Sequence, residues 1–193
     1  MPARWSTAAV DSIISSHLIR KIHHYEIISD ILGFYSEHLY NKYAITMYPG
    51  RYSSEWIDVW KPDSLFNPEA RESILIVKDD YFGKPNIMDE GFLVARLGVL
   101  GYLDRAKRQA EAIILREVLS RYMFPVGSWQ IRYTVRNAFS KGLVLRNPAT
   151  EELLRFLETK HSVSKNILTR TVGKIKKHKY KSLDEFIASR SLG

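Results

Sequence analysis

A chain of 193 residues, with 45% hydrophobic and 26% charged residues, is long enough for one ordinary domain and too apolar to remain disordered. It contains no cysteine, which excludes disulfides, thiolate metal sites and cysteine nucleophiles from the sequence. Its 29 lysines and arginines exceed its 21 acids by eight charges, and this balance favours a polyanionic partner.

The charges are segregated along the chain. Residues 55–90 hold nine acids against four bases, whereas residues 96–146 hold ten bases against three acids. Residues 160–181 hold eight bases and no acid. This distribution predicts one surface for a polyanion and another for a protein partner.

The N-terminal quarter has the period of an α-helix. Apolar residues recur at steps of three and four from Ser6 to about Tyr48, which predicts one long helix or two helices joined near Gly33. A continuous helix of this length would reach roughly 60 Å. We therefore expect residues 1–48 to form an N-terminal helical arm, part of which projects from the core.

Residues 49–87 read as an acidic, aromatic, turn-rich connecting segment. Proline and glycine turn signals predict irregular structure with one short helix around Trp56. The apolar run at 74–77 suits a short strand or a buried helical turn equally well. Aromatic side chains among acids are typical of an interface, so Tyr52, Trp56 and Trp60 are predicted to face a partner.

The remainder, 88–193, is predicted to be a basic helical bundle. Helical periodicity, proline positions and capping residues predict helices at 88–123, 128–144, 148–160, 164–177 and from Ser182. Within 128–144 an alternation of apolar residues would also suit a strand. The predicted fold class is thus mainly all-α, with a long N-terminal arm, a C-terminal bundle and at most a short strand or irregular segment near 74–77.

Few residues suggest catalysis or metal binding. His17 and His24 share one predicted helix face, but no third ligand accompanies them. Asp63 and Glu72 resemble the start of a metal-dependent nuclease pattern, but the lysine expected two residues after Glu72 is replaced by Ile74. Phosphate-binding glycine loops are also absent from the sequence. We therefore predict a protein that is not an enzyme and has no catalytic residue, cofactor, metal or small-molecule substrate.

Basic side chains on predicted helices provide the chemistry for binding phosphates, because lysine and arginine neutralise the backbone and release counterions. Arginine, which predominates between 96 and 146, also makes forked phosphate contacts. The predicted nucleic-acid contacts in this half of the chain are Arg96, Arg105, Arg108, Arg116, Arg132, Arg136, Lys141, Lys165, Arg170, Lys174 and Lys177. The alternative is a thermostable helical bundle that carries many solvated charges.

The predicted layout of helical arm, helical bundle and basic surface, with only two glutamines and a composition typical of thermophiles, resembles the α-helical major coat proteins of filamentous archaeal viruses, such as lipothrixviruses. This resemblance implies a structural protein that self-associates, pairs with a related second coat protein and wraps double-stranded DNA in a helical virion. It also implies that Arg4, Arg20 and Lys21 on the arm contact the DNA.

Two other functions fit the same sequence. Residues 148–190 have the outline of a helix-turn-helix, which would make the protein a DNA-binding transcriptional regulator. A scaffold or accessory subunit that binds an acidic protein is the third possibility. An apolar run long enough to span a membrane is missing from the sequence, so we expect an intracellular, cytoplasmic protein, or a virion component if it is a coat protein.

Overall fold

The computed structural model describes residues 7–64, 66–124 and 128–176, which form a mixed sheet between two layers of helices. The helices are α1 (Thr7–Ile22), α2 (Glu90–Ala106), α3 (Ser128–Lys141), α4 (Thr150–Lys160) and α5 (165–176). The strands are β1 (Glu26–Ile27), β2 (Leu32–His38), β3 (Asn41–Tyr48), β4 (Ser53–Trp60), β5 (Ser73–Lys78), β6 (Arg108–Gln109), β7 (Glu111–Val118) and β8 (Leu145–Arg146).

Six strands form the main sheet in the order β5-β4-β7-β3-β2-β8. Only β4 and β7 are parallel neighbours, and the other pairs are antiparallel. A separate two-stranded parallel ladder joins β1 to β6. The central strands β3 and β7 are therefore hydrogen-bonded on both sides.

Both faces of the sheet are covered by helices. Side chains such as Tyr43 and Ile114 belong to the core shared with α1, α2 and α3. Their neighbours Ala44, Ile113 and Leu115 belong to the core shared with α4 and α5. Because alternate residues of a strand point to opposite faces, strands covered on both sides become apolar along their whole length.

The prediction of a mainly all-α fold is wrong, and the N-terminal arm accounts for much of the error. The helix ends at Ile22, and residues 32–48 form the hairpin of β2 and β3. The hairpin turns at Leu39 and Tyr40, whose φ angles of 47° and 60° are unusual for residues other than glycine, asparagine and aspartate. The sequence therefore contained no turn signal here, and its dense apolar pattern matched a helix.

The connecting segment also contains more regular structure than predicted. Strand β4 replaces the short helix expected around Trp56, and residues 74–77 lie within β5, which decides between strand and helical turn. Tyr52 and Trp56 are fully buried, so their prediction as partner-facing residues is wrong. The main sheet draws strands from all three segments predicted from the sequence.

The predicted central helix at 88–123 is shorter than expected. Asp89 caps its start by accepting a hydrogen bond from the Phe92 amide at 2.6 Å, and Lys107 ends it in a left-handed conformation with φ of 54°. Strands β6 and β7 follow. The helices predicted at 128–144, 148–160 and 164–177 are confirmed as α3, α4 and α5 where the chain is described. The helix from Ser182 lies outside the described residues.

None of the helices within the described ranges is both long enough and apolar enough to cross a membrane.

The contact between α2 and α3 depends on Gly98. A Cβ at this position would lie 2.4 Å from Cγ1 of Val135, so Gly98→Ala forces the two helices apart. We expect this substitution to lower the free energy of unfolding by about 1–3 kcal/mol, measured by urea denaturation. Gly101→Ala is the matched control on the same helix, because its Cβ would come no closer than 3.6 Å, to Arg105. The control is expected to be neutral or slightly stabilising; equal losses in both variants would contradict this account.

Candidate nucleic-acid interface

Helix α3 presents a polar and aromatic face to solvent. Its inner residues Gln130, Ile131, Thr134, Val135 and Ala138 are buried against α2, β2 and β3. Its outer residues line an open groove of about 510 Å³ and are Ser128, Trp129, Arg132, Tyr133, Arg136, Asn137 and Ser140. We call these seven residues the α3 face. Their spacing of three and four residues places them along one side of the helix.

Two large aromatic side chains on the α3 face remain exposed. Trp129 is 56% exposed and Tyr133 is 52% exposed. The ring of His38, at the end of β2, lies 4.7 Å from that of Tyr133 and is tilted against it. Exposed aromatic side chains clustered beside polar groups are typical of binding surfaces.

The arginines of this region differ in their partners. One terminal nitrogen of Arg132 donates to both carboxylate oxygens of Asp11 on α1, at 2.7 and 2.9 Å. Asp11 is almost completely buried, and its carboxylate thus holds Arg132 in place. Among the described residues, neither Arg105 nor Arg136 has a carboxylate within ion-pair distance. Both are exposed and available to a ligand.

A second groove of about 250 Å³ adjoins the α3 face between α1, α2 and α3. Arg132 and Arg136 line both grooves, and Arg105 joins them in the second one. The chain from 118 to 150 contains five bases and no acid. The two grooves therefore form one positively charged surface with apolar side chains at its base.

The structure brings together only part of the predicted nucleic-acid contacts. Arg105, Arg132, Arg136 and Lys141 lie on or next to the α3 face, and Lys141 is exposed in the last turn of the helix. Arg20 is exposed near the end of α1 and Lys165 at the start of α5. Arg4 and Lys177 lie outside the described residues.

Two other predicted contacts form exposed ion pairs near the end of α2. Lys21 pairs with Asp104 at 2.9 Å, and Arg108 pairs with Glu26 at 3.1 Å. A hydrogen bond from Lys21, which has the larger effect, and one from Tyr25 lower the pKa of Asp104 to about 2, so its carboxylate stays charged beside Lys21. These cations are already neutralised and are weaker candidates for phosphate binding.

Arg96 and Arg116 are interior residues, which corrects their prediction as nucleic-acid contacts. Arg96 is 1% exposed and donates to the carbonyl oxygen of Gly83 at 2.8 Å. Arg116 is 2% exposed and donates to Asp58 at 3.1 Å. The sequence pattern placed Arg116 on the surface of a helix, but residue 116 lies in β7, which has β4 on one side and β3 on the other.

Arg170 and Lys174 lie on the opposite side of the sheet, where both pair with Glu55. Arg170 and Glu55 are 2.7 Å apart. Burial lowers the pKa of Lys174. A cavity of about 300 Å³ is lined by Glu55 and Lys174 together with Lys78 and Asp79. Because carboxylates and cations alternate in this cavity, it suits a polyanion less well than the α3 face does.

The sequence analysis selected the wrong aromatic residues. Tyr52 and Trp56 are in the core, and Trp60 is half-buried with its ring 5.6 Å from that of Phe66. Trp129 and Tyr133 were missed. The signal that could have found them is the helical period of α3, which puts both rings opposite its buried apolar residues.

The acids and histidines considered from the sequence belong to no metal-binding cluster among the described residues. Glu72 pairs with Lys61 at 2.7 Å, and Asp63 lies in a turn with φ of 59°. Throughout the described ranges no group of three or more histidine, aspartate or glutamate side chains could hold a metal ion.

Comparison of the amino-acid sequence with known proteins places the chain in a family. The protein-family model described as "Archaeal Nre, C-terminal" matches residues 80–186, and the family model described as "Archaeal Nre, N-terminal" matches residues 1–67. The chain belongs to the archaeal Nre family. No solved structure matches it.

Two curated relatives are named as DNA repair proteins. The chain is 33% identical to DNA repair protein NreA of Haloferax volcanii over 144 residues, which are 72% of this chain and 34% of the relative. It is 31% identical to DNA repair protein NreB of Archaeoglobus fulgidus over 164 residues, 84% of this chain and 41% of the relative. The chain thus spans about two fifths or less of the length of these relatives.

Membership of the Nre family overturns the functional predictions from layout. The resemblance to filamentous-virus coat proteins was wrong, and with it the virion, the helical filament and the second coat protein as partner. The helix-turn-helix regulator is likewise unsupported. The coat-protein prediction depended on an all-α layout, whereas strands β2 to β5 of the main sheet lie in the arm and the connecting segment.

The pair of Asp11 and Arg132 should be strongly coupled. A double-mutant cycle with Asp11→Asn and Arg132→Gln is expected to give a coupling free energy of about 1.5–3 kcal/mol, because a buried carboxylate accepts both hydrogen bonds. The control cycle uses Glu69→Gln and Arg71→Gln, whose ion pair is exposed at 2.9 Å and should give about 0–1 kcal/mol. Equal coupling in the two cycles, measured by urea denaturation, would contradict a positioning role for Asp11.

Proposed function

We propose that this Nre chain is a DNA-binding part of a DNA repair protein and that the α3 face, extended by Arg105, contacts the DNA. The observation that carries this proposal is the convergence of three arginines from α2 and α3 around two adjoining grooves. Guanidinium groups bind phosphate oxygens through charge-assisted hydrogen bonds. Neither groove is lined by an acid, and Asp11 pairs with Arg132, so Arg105 and Arg136 supply the positive potential at the point of contact.

The choice of DNA as ligand follows from the relatives, whose names assign them to DNA repair. These proteins are longer than the present chain, so the proposal concerns the binding step and not the complete repair activity. Double-stranded DNA was the partner expected from the sequence. The charge of the α3 face supports binding to the backbone of double-stranded or single-stranded DNA.

We also propose that the α3 face binds DNA without cleaving it. Guanidinium, indole, phenol, amide and hydroxyl groups make up most of its side chains, and the nearby carboxylate of Asp11 is occupied by Arg132. These groups suit recognition of phosphate and bases. End-labelled DNA incubated with the protein and Mg²⁺ is expected to be recovered at full length.

The salt dependence of DNA binding tests the interface. Arg105→Gln and Arg136→Gln are each expected to weaken binding and to reduce the slope of log K against log salt by about 0.7–0.9, because each removes one phosphate contact. Fluorescence anisotropy of a labelled oligonucleotide over a salt series measures both quantities.

Arg71→Gln provides the charge-matched control, because Arg71 is exposed in the loop before β5, at the opposite edge of the sheet from β8. It should leave the slope unchanged. If all three variants lose the same affinity, binding reflects only the net charge of the protein, and the α3 face is not the interface.

A further inference from the structure

The outer side of α3 contains the same short pattern twice. Trp129 is followed three residues later by Arg132, and Tyr133 is followed three residues later by Arg136. Each aromatic ring therefore has a guanidinium group about one helical turn further along the same face. The two pairs are related by a step of four residues, or about 6 Å along the helix axis.

We propose that this repeat binds single-stranded DNA, with Trp129 and Tyr133 stacking on two successive unpaired bases and Arg132 and Arg136 each contacting one backbone phosphate next to these bases. This inference rests on the proposed function and specifies its substrate class. A ring with a neighbouring cation matches the two parts of a nucleotide that every sequence shares, the base face and the phosphate.

The exposed rings make a single strand a better ligand than a duplex. In duplex DNA both faces of each base are already stacked, so Trp129 and Tyr133 could contribute only after bases are unstacked. Unpaired bases offer their faces directly. Only a strand with unpaired bases therefore uses the whole of the α3 face, whereas a duplex uses its charges alone.

The structure holds this platform rigid before any ligand binds. Asp11 fixes Arg132, and the ring of His38 packs against that of Tyr133. Next along the helix, the side-chain amide of Asn137 donates to the hydroxyl of Ser36 on β2 at 3.1 Å. Preorganised side chains lose little conformational entropy on binding. Asp11 is accordingly a positioning residue for the first of the two nucleotide sites.

The test compares three ligands of about 12 nucleotides, a length within the usual range of single-strand sites: oligo(dT), an abasic strand and a blunt duplex. The wild-type protein should bind oligo(dT) most tightly. Trp129→Ala and Tyr133→Ala should each weaken binding to oligo(dT) by about 5- to 150-fold and change binding to the abasic strand and the duplex little. Phe82→Ala removes an aromatic side chain that is 80% exposed elsewhere, and it should have no effect.

The conservative variant Trp129→Phe separates stacking from a loss of structure. Phenylalanine can still stack on a base, so affinity for oligo(dT) should stay within a few-fold of wild type. The fourth tryptophan, Trp5, lies outside the described residues, so both proteins carry Trp5→Phe in this measurement. Quenching of tryptophan fluorescence by oligo(dT) should then largely disappear in Trp129→Phe, because Trp56 is fully buried and Trp60 is half-buried. Quenching that is unchanged in Trp129→Phe would overturn the assignment of Trp129 as a base platform.

Failure of this inference and failure of the proposed function give different results. Equal affinity for all three ligands, with Arg105→Gln and Arg136→Gln still weakening each of them, would overturn stacking and leave DNA binding at the α3 face intact. Absence of binding to all three ligands at low salt would overturn both proposals, and the exposed rings would then mark a protein interface.

Discussion

The buried guanidinium of Arg116 is the interaction on which the central sheet depends. It belongs to β7 and donates to Asn41 on β3 at 2.9 Å and to Asp58 on β4 at 3.1 Å, so it links three adjacent strands. Burial raises the pKa of Asp58, whereas the charge of Arg116 opposes this rise. Loss of Arg116 or of Asp58 would leave an uncompensated charge in the core, at a cost of about 3–5 kcal/mol. Asp58 and Arg116 are register partners in the parallel pairing of β4 with β7.

The sheet in turn determines where the α3 face lies. Helix α3 packs on β2 and β3 with its apolar side, and Gly98 lets it approach α2 closely. Asp11 on α1 then pairs with Arg132 on α3, so two helices together position one side chain of the candidate interface. A binding surface built on packed helices keeps its geometry better than one built on loops. The spacing of rings and cations on α3 is therefore set by the core beneath it.

Part of the fold could be predicted from the sequence, and the limit has a physical cause. Helices α3, α4 and α5 have one apolar side, and their period of 3.6 residues is visible. In β7, by contrast, the sheet is covered on both faces and residues 112–118 are all buried, so no alternation marks the strand. The turn at Leu39 and Tyr40 adopts positive φ without glycine, so the sequence carries no glycine that would indicate a hairpin there.

Of the candidate site, only the positive charge could be predicted from the sequence. The order of charged residues along the chain does not show which of them folding buries or pairs. The acid-rich segment 55–90 seemed to be a surface, yet Asp58 and Asp79 point inward and pair with Arg116 and Arg96. Folding thus removes charges of both signs from the surface. In the acid-free segment 118–150, Arg132 and Arg146 pair with Asp11 and Asp30. Among the described residues, Arg136 has no carboxylate within ion-pair distance, and it lies beside the exposed rings. Which cations remain unpaired after folding, rather than how many the chain contains, decides where a polyanion can bind.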